Sequence, residues 1–412
     1  MLMKSGRKGS VTMAVLAAAV GALVVTGNSQ PAFGQVVSSE EGAGYILFPK
    51  IIVHTSAGNP AATTVQQDTL LQLTNTNTTQ SAALHCYYVN SNGHCSNDDN
   101  RICYSNLDCV AGGVCNPGWS VINFDVLLTP EQPLGWSASA GLDLPCEGIQ
   151  DPMNPGQLVP PRVECRGINE GRIPGVIEDP FRGELKCIQV TSLTDDTPVG
   201  RNDVIGTATL YRAELVGGGG ISTASYNAIG FQTDTSPGTS STDPICLGSL
   251  SGVSCAKTYA GCPGVLILQH LFEDPGDVGT ELTLVPCTED LRTSDLGAQV
   301  STAVQMLIYN EYEQRFSTAR RVQCYANLRL ADIDTQPGTS DDAFSIFSQS
   351  VQGTIAGQTR LRPIEGSETT VGHGLVGVAE EIHFIEGSTV DESAAYHLNY
   401  TGDRTQGDAV YR

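Results

Sequence analysis

The stretch DIDTQPGTSDD (332–342) sets Asp332, Asp334, Asp341 and Asp342 around a Pro-Gly turn. Ca2+ is bound by several hard oxygen ligands, and a bent acidic loop supplies them. This is not an EF-hand loop: the expected third ligand position is Gln336, the glycine is displaced, and no glutamate closes the site. Ca2+ is the one cofactor the sequence points to, against the plainer reading of an acidic turn. SNDDN (96–100) is a weaker second loop of the same kind.

The 13 cysteines all follow residue 85. Cys95, Cys103, Cys109 and Cys115 are spaced C-x7-C-x5-C-x5-C in a short polar segment that cannot build an apolar core. Structural zinc sites use tight C-x2-C or C-x4-C knuckles. Two disulfides are therefore expected over zinc. The adjacent pairs His85-Cys86 and His94-Cys95 would point to opposite faces of a strand, which disfavours joint ligation and leaves both histidines as surface or hairpin residues. Cys146 and Cys165 could staple a proline-rich insertion. Cys86 with Cys187, and Cys287 with Cys324, could bridge strands. Cys246, Cys255 and Cys262 then form an odd trio. It includes a free thiol, an intermolecular bond or a buried inert thiol.

There is no G-x-S-x-G or H-E-x-x-H, and no catalytic residue is assigned. Glu380, Glu381 and His383 make the densest titratable cluster; Glu381 and His383 would share a strand face, read as a solvated one. GHGLVG (372–377) has the spacing of a dinucleotide loop, but the following VAEEIHF reads as a strand where that site needs a helix. Of the two tryptophans, Trp136 has a core-like neighbourhood. Trp119 closes the Cys-rich segment and is the residue placed to stack on a sugar ring, or to pack that segment down.

The elements that would carry these residues are strands. Short β-branched or aromatic runs bounded by Gly, Pro, Asn or Asp recur throughout, as in YILFPKIIV, SAALHCYYV and ELKCIQV. No run of 12 or more residues has helical apolar spacing.

The chain also echoes itself. VIGTATLYRAELVGGGGISTASYNAIGF (204–231) parallels LVGVAEEIHFIEGSTVDESAAYHLNYTG (375–402), with Gly206 to Tyr226 matching Gly377 to Tyr396. Segment 70–90 echoes 304–330, 45–53 echoes 265–273, and 124–129 echoes 344–349. The expected fold is all-β: two tandem, related β-sandwich domains, Ig-like or jelly-roll-like, with a small disulfide-rich insertion in the first. Expected boundaries are a first sandwich at 35–232 with insertions at 94–119 and 142–181, a linker at 233–264, a second sandwich at 265–403, and a polar tail at 404–412.

Residues 1–34 read as a signal peptide. Lys4, Arg7 and Lys8 precede the apolar run 11–25, and Ala32 and Gly34 offer small residues for cleavage. That run is short for a membrane span. The formal net charge is −22, and removing residues 1–34 deletes three basic residues and no acidic one. So acidic a chain repels nucleic acid and anionic lipid. It is expected to be secreted or at the cell surface, with no membrane insertion once the signal is cut. Asn77-Thr78-Thr79 and Asn399-Tyr400-Thr401 are glycosylation sequons.

SNLDCVAGGVC (105–115), preceded by NGHCSNDDNRIC, followed by Gly118-Trp119 and with LTNTN (73–77) upstream, resembles a family of uncharacterised exported bacterial β-sandwich proteins carrying a D-C-x-x-G-x-x-C insertion. The resemblance implies export and disulfides, and no activity. The function expected is a non-catalytic surface or matrix component acting by adhesion or assembly, with an extracellular protein, a glycan or a second copy as partner. A carbohydrate-binding or enzyme-accessory module, and a divergent secreted hydrolase, are the alternatives.

Overall fold

The computed structural model describes residues 37–400 except 56–64, 104–105, 111, 117, 119, 144–171, 215–219, 249–253, 275, 288–300, 336–339, 365–373 and 386–390. The signal peptide, the polar tail, most of the 142–181 insertion, Cys146, Cys165 and Trp119 lie outside the described residues. Residues 35–412 cluster as one unit.

Strands run in the order β1 (Val37–Ser38), β2 (Tyr45–Val53), β3 (Val65–Asn75), β4 (Ala82–Asn90), β5 (Gly93–Cys95), β6 (Asp98–Cys103), β7 (Cys115–Asn116), β8 (Ser120–Leu128), β9 (Pro133–Ser137), β10 (Leu142–Asp143), β11 (Arg172–Ile173), β12 (Phe181–Ser192), β13 (Asp195–Pro198), β14 (Val204–Glu214), β15 (Ile221–Asn227) and β16 (Ile229–Phe231). After β17 (Ile245–Leu247) and β18 (Lys257–Tyr259) come β19 (Leu266–Leu271), β20 (Val278–Pro286), β21 (Ser301–Asn310), β22 (Arg315–Gln323), β23 (Ala326–Arg329), β24 (Ala356–Pro363), β25 (Leu375–His383), β26 (Glu392–His397) and β27 (Asn399–Tyr400).

Two pairs of sheets result. In the first lobe a large sheet, β1-β16-β2-β12-β4-β8 with β13 on β12, faces a small one, β15-β14-β3-β9. In the second lobe the large sheet is β27-β19-β24-β21-β22 and the small one is β26-β25-β20-β23. Apart from β1, β13 and the insertion strands, the lobes share one topology. Strands β2, β3, β4, β8, β9, β12, β14, β15 and β16 take the positions of β19 to β27 in the same chain order.

This confirms two echoes and corrects two. Segments 204–231 and 375–402 hold equivalent strands, as do 45–53 and 265–273. Segment 70–90 (β3–β4) is displaced by one strand from its apparent match 304–330 (β21–β22), because β3 corresponds to β20 and β4 to β21. Segment 124–129 is strand β8, whereas 344–349 holds turns of 3-10 and α-helix rather than a strand.

The repeated residues have matching jobs. A Cβ on Gly206 would come within 2.5 Å of Phe48, and one on Gly377 within 2.6 Å of the Thr283 carbonyl. The Tyr226 hydroxyl donates to the Lys50 carbonyl of β2 at 2.6 Å, and the Tyr396 hydroxyl donates to the Gln269 carbonyl of β19 at 2.9 Å. Each tyrosine ties the small sheet of its lobe to the equivalent strand, β2 or β19, of the large one.

The first core is lined by Ile46, Phe48, Leu71, Leu84, Phe124 and Trp136, the second by Leu268, Leu282, Met306, Ile308, Phe347 and Leu361. A third buried cluster joins the lobes: Tyr45, Leu47, Ile188 and Val190 pack with Val285 and Val376. The outer face of the first large sheet thus rests on the outer face of the second small one, and β2 is buried at all nine positions. Val378 of β25 enters the first core directly.

Residues 233–264, expected as a linker, carry a parallel β17–β18 pair, and their Ile245, Tyr259 and Ala260 belong to the joining cluster.

Five disulfides lace the described chain. Cys86–Cys187 joins cross-strand partners on β4 and β12. Cys95–Cys109 and Cys103–Cys115 close the Cys-rich segment. Cys246–Cys255 and Cys262–Cys287 account for the expected odd trio. The Cys287–Cys324 bridge does not form: Cys287 takes Cys262, and Cys324 is a buried thiol at a left-handed turn, φ 58°.

Candidate functional site

Among the described residues, Asp332, Asp334 and Asp342 do not form a cluster with metal-ligand spacing. Asp334 accepts from Ser345 Oγ at 2.6 Å and from the Ile346 amide at 2.9 Å. Asp342 accepts from Arg329 at 3.1 Å. Asp332 is half-buried, and burial followed by the nearby Asp342 charge raises its carboxyl above the usual range. The Asp341 side chain lies outside the described residues. Trp136 is a core residue whose indole donates to the Tyr88 hydroxyl at 2.6 Å. The sequence GHGLVG leads into strand β25, not a helix.

Glu380, read as part of a solvated strand face, is wholly buried. It sits opposite Glu281 in the β20–β25 register, and Lys50 Nζ bridges the two at 2.7 and 2.8 Å. Arg212 from β14 also contacts Glu380 and donates to Ser393 at 3.1 Å. A bulge on β2 places Lys50 here: Phe48 pairs with Leu185 and Ile51 with Gly183, so Pro49 and Lys50 oppose Glu184 alone. Burial pushes the Glu281 carboxyl up, but the Lys50 charge and hydrogen bond outweigh it and hold the group at about 2. For Glu380 burial again opposes, and Lys50 with Arg212 brings it below the usual range. This network joins the lobes. Glu381 and His383 do share the exposed face, 2.7 Å apart.

The surface best suited to a ligand is the outer face of the second large sheet. Strand β21 alternates, sending Val304, Met306 and Ile308 into the core and Gln305, Leu307 and Tyr309 outward. The register aligns Gln269, Gln358, Tyr309 and Arg315 in one row across four strands. Arg360 and Arg362 from β24, with Arg321 from β22, complete the face. Strands β19, β21, β22, β24 and β27 contain no aspartate or glutamate, although acidic residues outnumber Lys and Arg by 44 to 22 in the chain. Among the described residues Arg315, Arg321 and Arg360 have no carboxylate partner; Arg321 donates to Ser301 at 2.6 Å. Arg360 lies over the Tyr309 ring, 5.7 Å from its centroid, and its Nε has no hydrogen-bond partner. Beside this row opens a cleft of about 600 Å³ lined by Gln269, Tyr309, Gln358, Glu311 and Glu381. His270, which also lines it, donates to or accepts from Thr359 Oγ1 at 2.9 Å, and burial lowers its imidazole to about 4.

A second constellation was not visible in the sequence. His85, expected as a surface or hairpin residue, is buried on β4. It pairs across the register with Asp125 of β8, and Asp196 approaches from β13. Nδ1 lies 2.6 Å from Asp125 and 3.3 Å from Asp196. His94, by contrast, anchors the Cys-rich segment to Glu178 at 2.7 Å. Strand pairing assembles the first group, and the period-two pattern of any one strand carries no sign of it.

No protein-family model and no curated protein matches the chain. Among solved structures, the CupB6 tip adhesin from Pseudomonas aeruginosa aligns with 87% of this chain and 98% of its own, at 11% identity and a TM-score of 0.10. A likeness that slight carries no argument about fold or function.

Proposed function

We propose that the chain is an exported, non-catalytic binding protein of the cell surface or extracellular matrix, and that the outer face of the second large sheet holds its ligand. The observation that carries this reading is the arginine-bearing, acid-free sheet in an otherwise acidic chain. Guanidinium groups bind carboxylates and sulfates through paired hydrogen bonds. Like charge disperses acidic partners from most of this molecule and leaves this face as the place where they dock. Tyr309 supplies an apolar ring, and Gln269 and Gln358 supply amide donors and acceptors beside it. That combination fits an acidic glycan, such as a uronic-acid or sulfated polymer, better than a neutral one. The five disulfides and the leading apolar segment support export.

The test is retention of the mature protein on immobilised polygalacturonate and on neutral dextran. Retention on the uronate polymer alone, released by salt, is the expected result. Equal retention on both, or on neither, contradicts it; concentration-dependent dimers blocked by Arg360→Glu would reassign the face to self-association. Glu311 and Glu381 share the cleft, so release of reducing ends from the polymer would revive the hydrolase reading.

A further inference from the structure

We propose that His85, Asp125 and Asp196 form a site for one borderline divalent cation of the Zn2+ type. The three donor atoms all lie within 4.8 Å of one another. Zn2+ binds imidazole nitrogen and carboxylate oxygen at about 2.1 Å, and two such bonds at the tetrahedral angle set their donors about 3.4 Å apart. The Asp196 separation from Nδ1, 3.3 Å, meets that value, and the Asp125 separation, 2.6 Å, falls short of it. An ion enters as the Asp125 carboxylate draws back from Nδ1 by about 0.8 Å, a side-chain rotation.

A proton alone serves this arrangement poorly. One N–H donates well to one carboxylate, whereas here a second carboxylate closes on the same nitrogen. The donor set discriminates between cations. Ca2+ and Mg2+ favour oxygen throughout, while imidazole with carboxylate suits Zn2+ and its first-row neighbours. The Asp196 side chain is 43% exposed, so the outer side is open to water or to an exogenous ligand. Register holds His85 against Asp125, and the β12–β13 hairpin delivers Asp196, so the site is built on paired strands. Among the described residues the other group with ligand spacing, Cys95, Cys103 and Cys109, is already consumed by disulfides.

Equilibrium dialysis of Zn2+ against the oxidised mature chain, stripped with chelator and carrying Cys324→Ser, tests the proposal. One Zn2+ per chain is expected. Asp125→Asn and Asp196→Asn should each weaken binding at least tenfold, and His94→Ala should not. Asp196 is partly exposed, so Asp196→Asn should leave the metal-free melting temperature unchanged. Co2+ should give a visible d–d absorption in the parent that is lost in Asp125→Asn. Absence of stoichiometric Zn2+, or parental affinity in both aspartate variants, overturns the site. Either outcome is independent of polymer binding, which involves the other lobe.

Discussion

Lys50 Nζ lies 2.7 Å from Glu380 across the boundary between the lobes, and neither side chain is exposed. Removing one member of a buried pair strands the other charge without solvent, at a cost of about 3–5 kcal/mol. Lys50→Met leaves Glu281 and Glu380 facing each other, so urea denaturation should show a loss of that order. Arg201→Met, which removes the more exposed Arg201–Asp203 pair, should cost no more than about 1 kcal/mol. Equal effects would place Lys50 outside any tight network.

Acid should destabilise the protein in two stages. Burial lowers His270 and His397 to about 4, against an unfolded value near 6.5. Below about pH 6.5 the unfolded chain takes up protons that the fold refuses, so this stability is present above that pH and is lost as pH falls towards 4. For His270 alone the loss is on the order of 3 kcal/mol. The depressed Glu281 contributes stability above about pH 4.3 that is lost as pH falls towards 2. Glu184, raised by burial despite Lys186, acts in the opposite sense. Chemical denaturation across pH should show His270→Gln reducing the first stage, with His397 carrying the remainder, and sparing the second.

The two repeat tyrosines should differ in weight. Tyr226→Phe removes a buried bond to Lys50 and leaves that carbonyl short of a partner, at about 1–3 kcal/mol. Tyr396→Phe removes the equivalent bond at a more exposed position and should cost about 1 kcal/mol or less. The reverse order, from denaturant midpoints at constant slope, would contradict their equivalence.

Disulfide removal should track loop length. Cys86 and Cys187 are 101 residues apart and Cys246 and Cys255 only 9. Loop-closure entropy gives about 4.7 kcal/mol for the first and about 2.6 for the second. Paired Cys→Ala variants, compared by urea denaturation, should preserve that ranking.

What the sequence revealed follows from where constraint is local. The Gly206–Tyr226 and Gly377–Tyr396 echoes are real because each glycine meets a close neighbour and each tyrosine ties two sheets. The Asn75 and Asn310 echo marks turn chemistry instead: each side chain accepts from the amide two residues on, at 3.0 Å, in strands that are not equivalent. Alternating strands resemble one another, so the match slipped by one. The buried role of Glu380 depends on one lobe covering the other. Only the unbroken burial of YILFPKIIV hints at that, as a strand apolar on both faces. Arg315 and Arg321 of β22, and Arg360 and Arg362 of β24, are readable as even-spaced, one-face residues, but their meeting with Tyr309 and Gln269 needs the strand order.

The most direct measurement is a titration of polygalacturonate into the mature chain, its Arg360→Glu variant and its Tyr309→Ala variant, at low and high salt. The account predicts saturable binding that weakens with salt, falls at least tenfold in Arg360→Glu and weakens in Tyr309→Ala, with melting temperatures unchanged. Binding that is indifferent to both substitutions and to salt would contradict it.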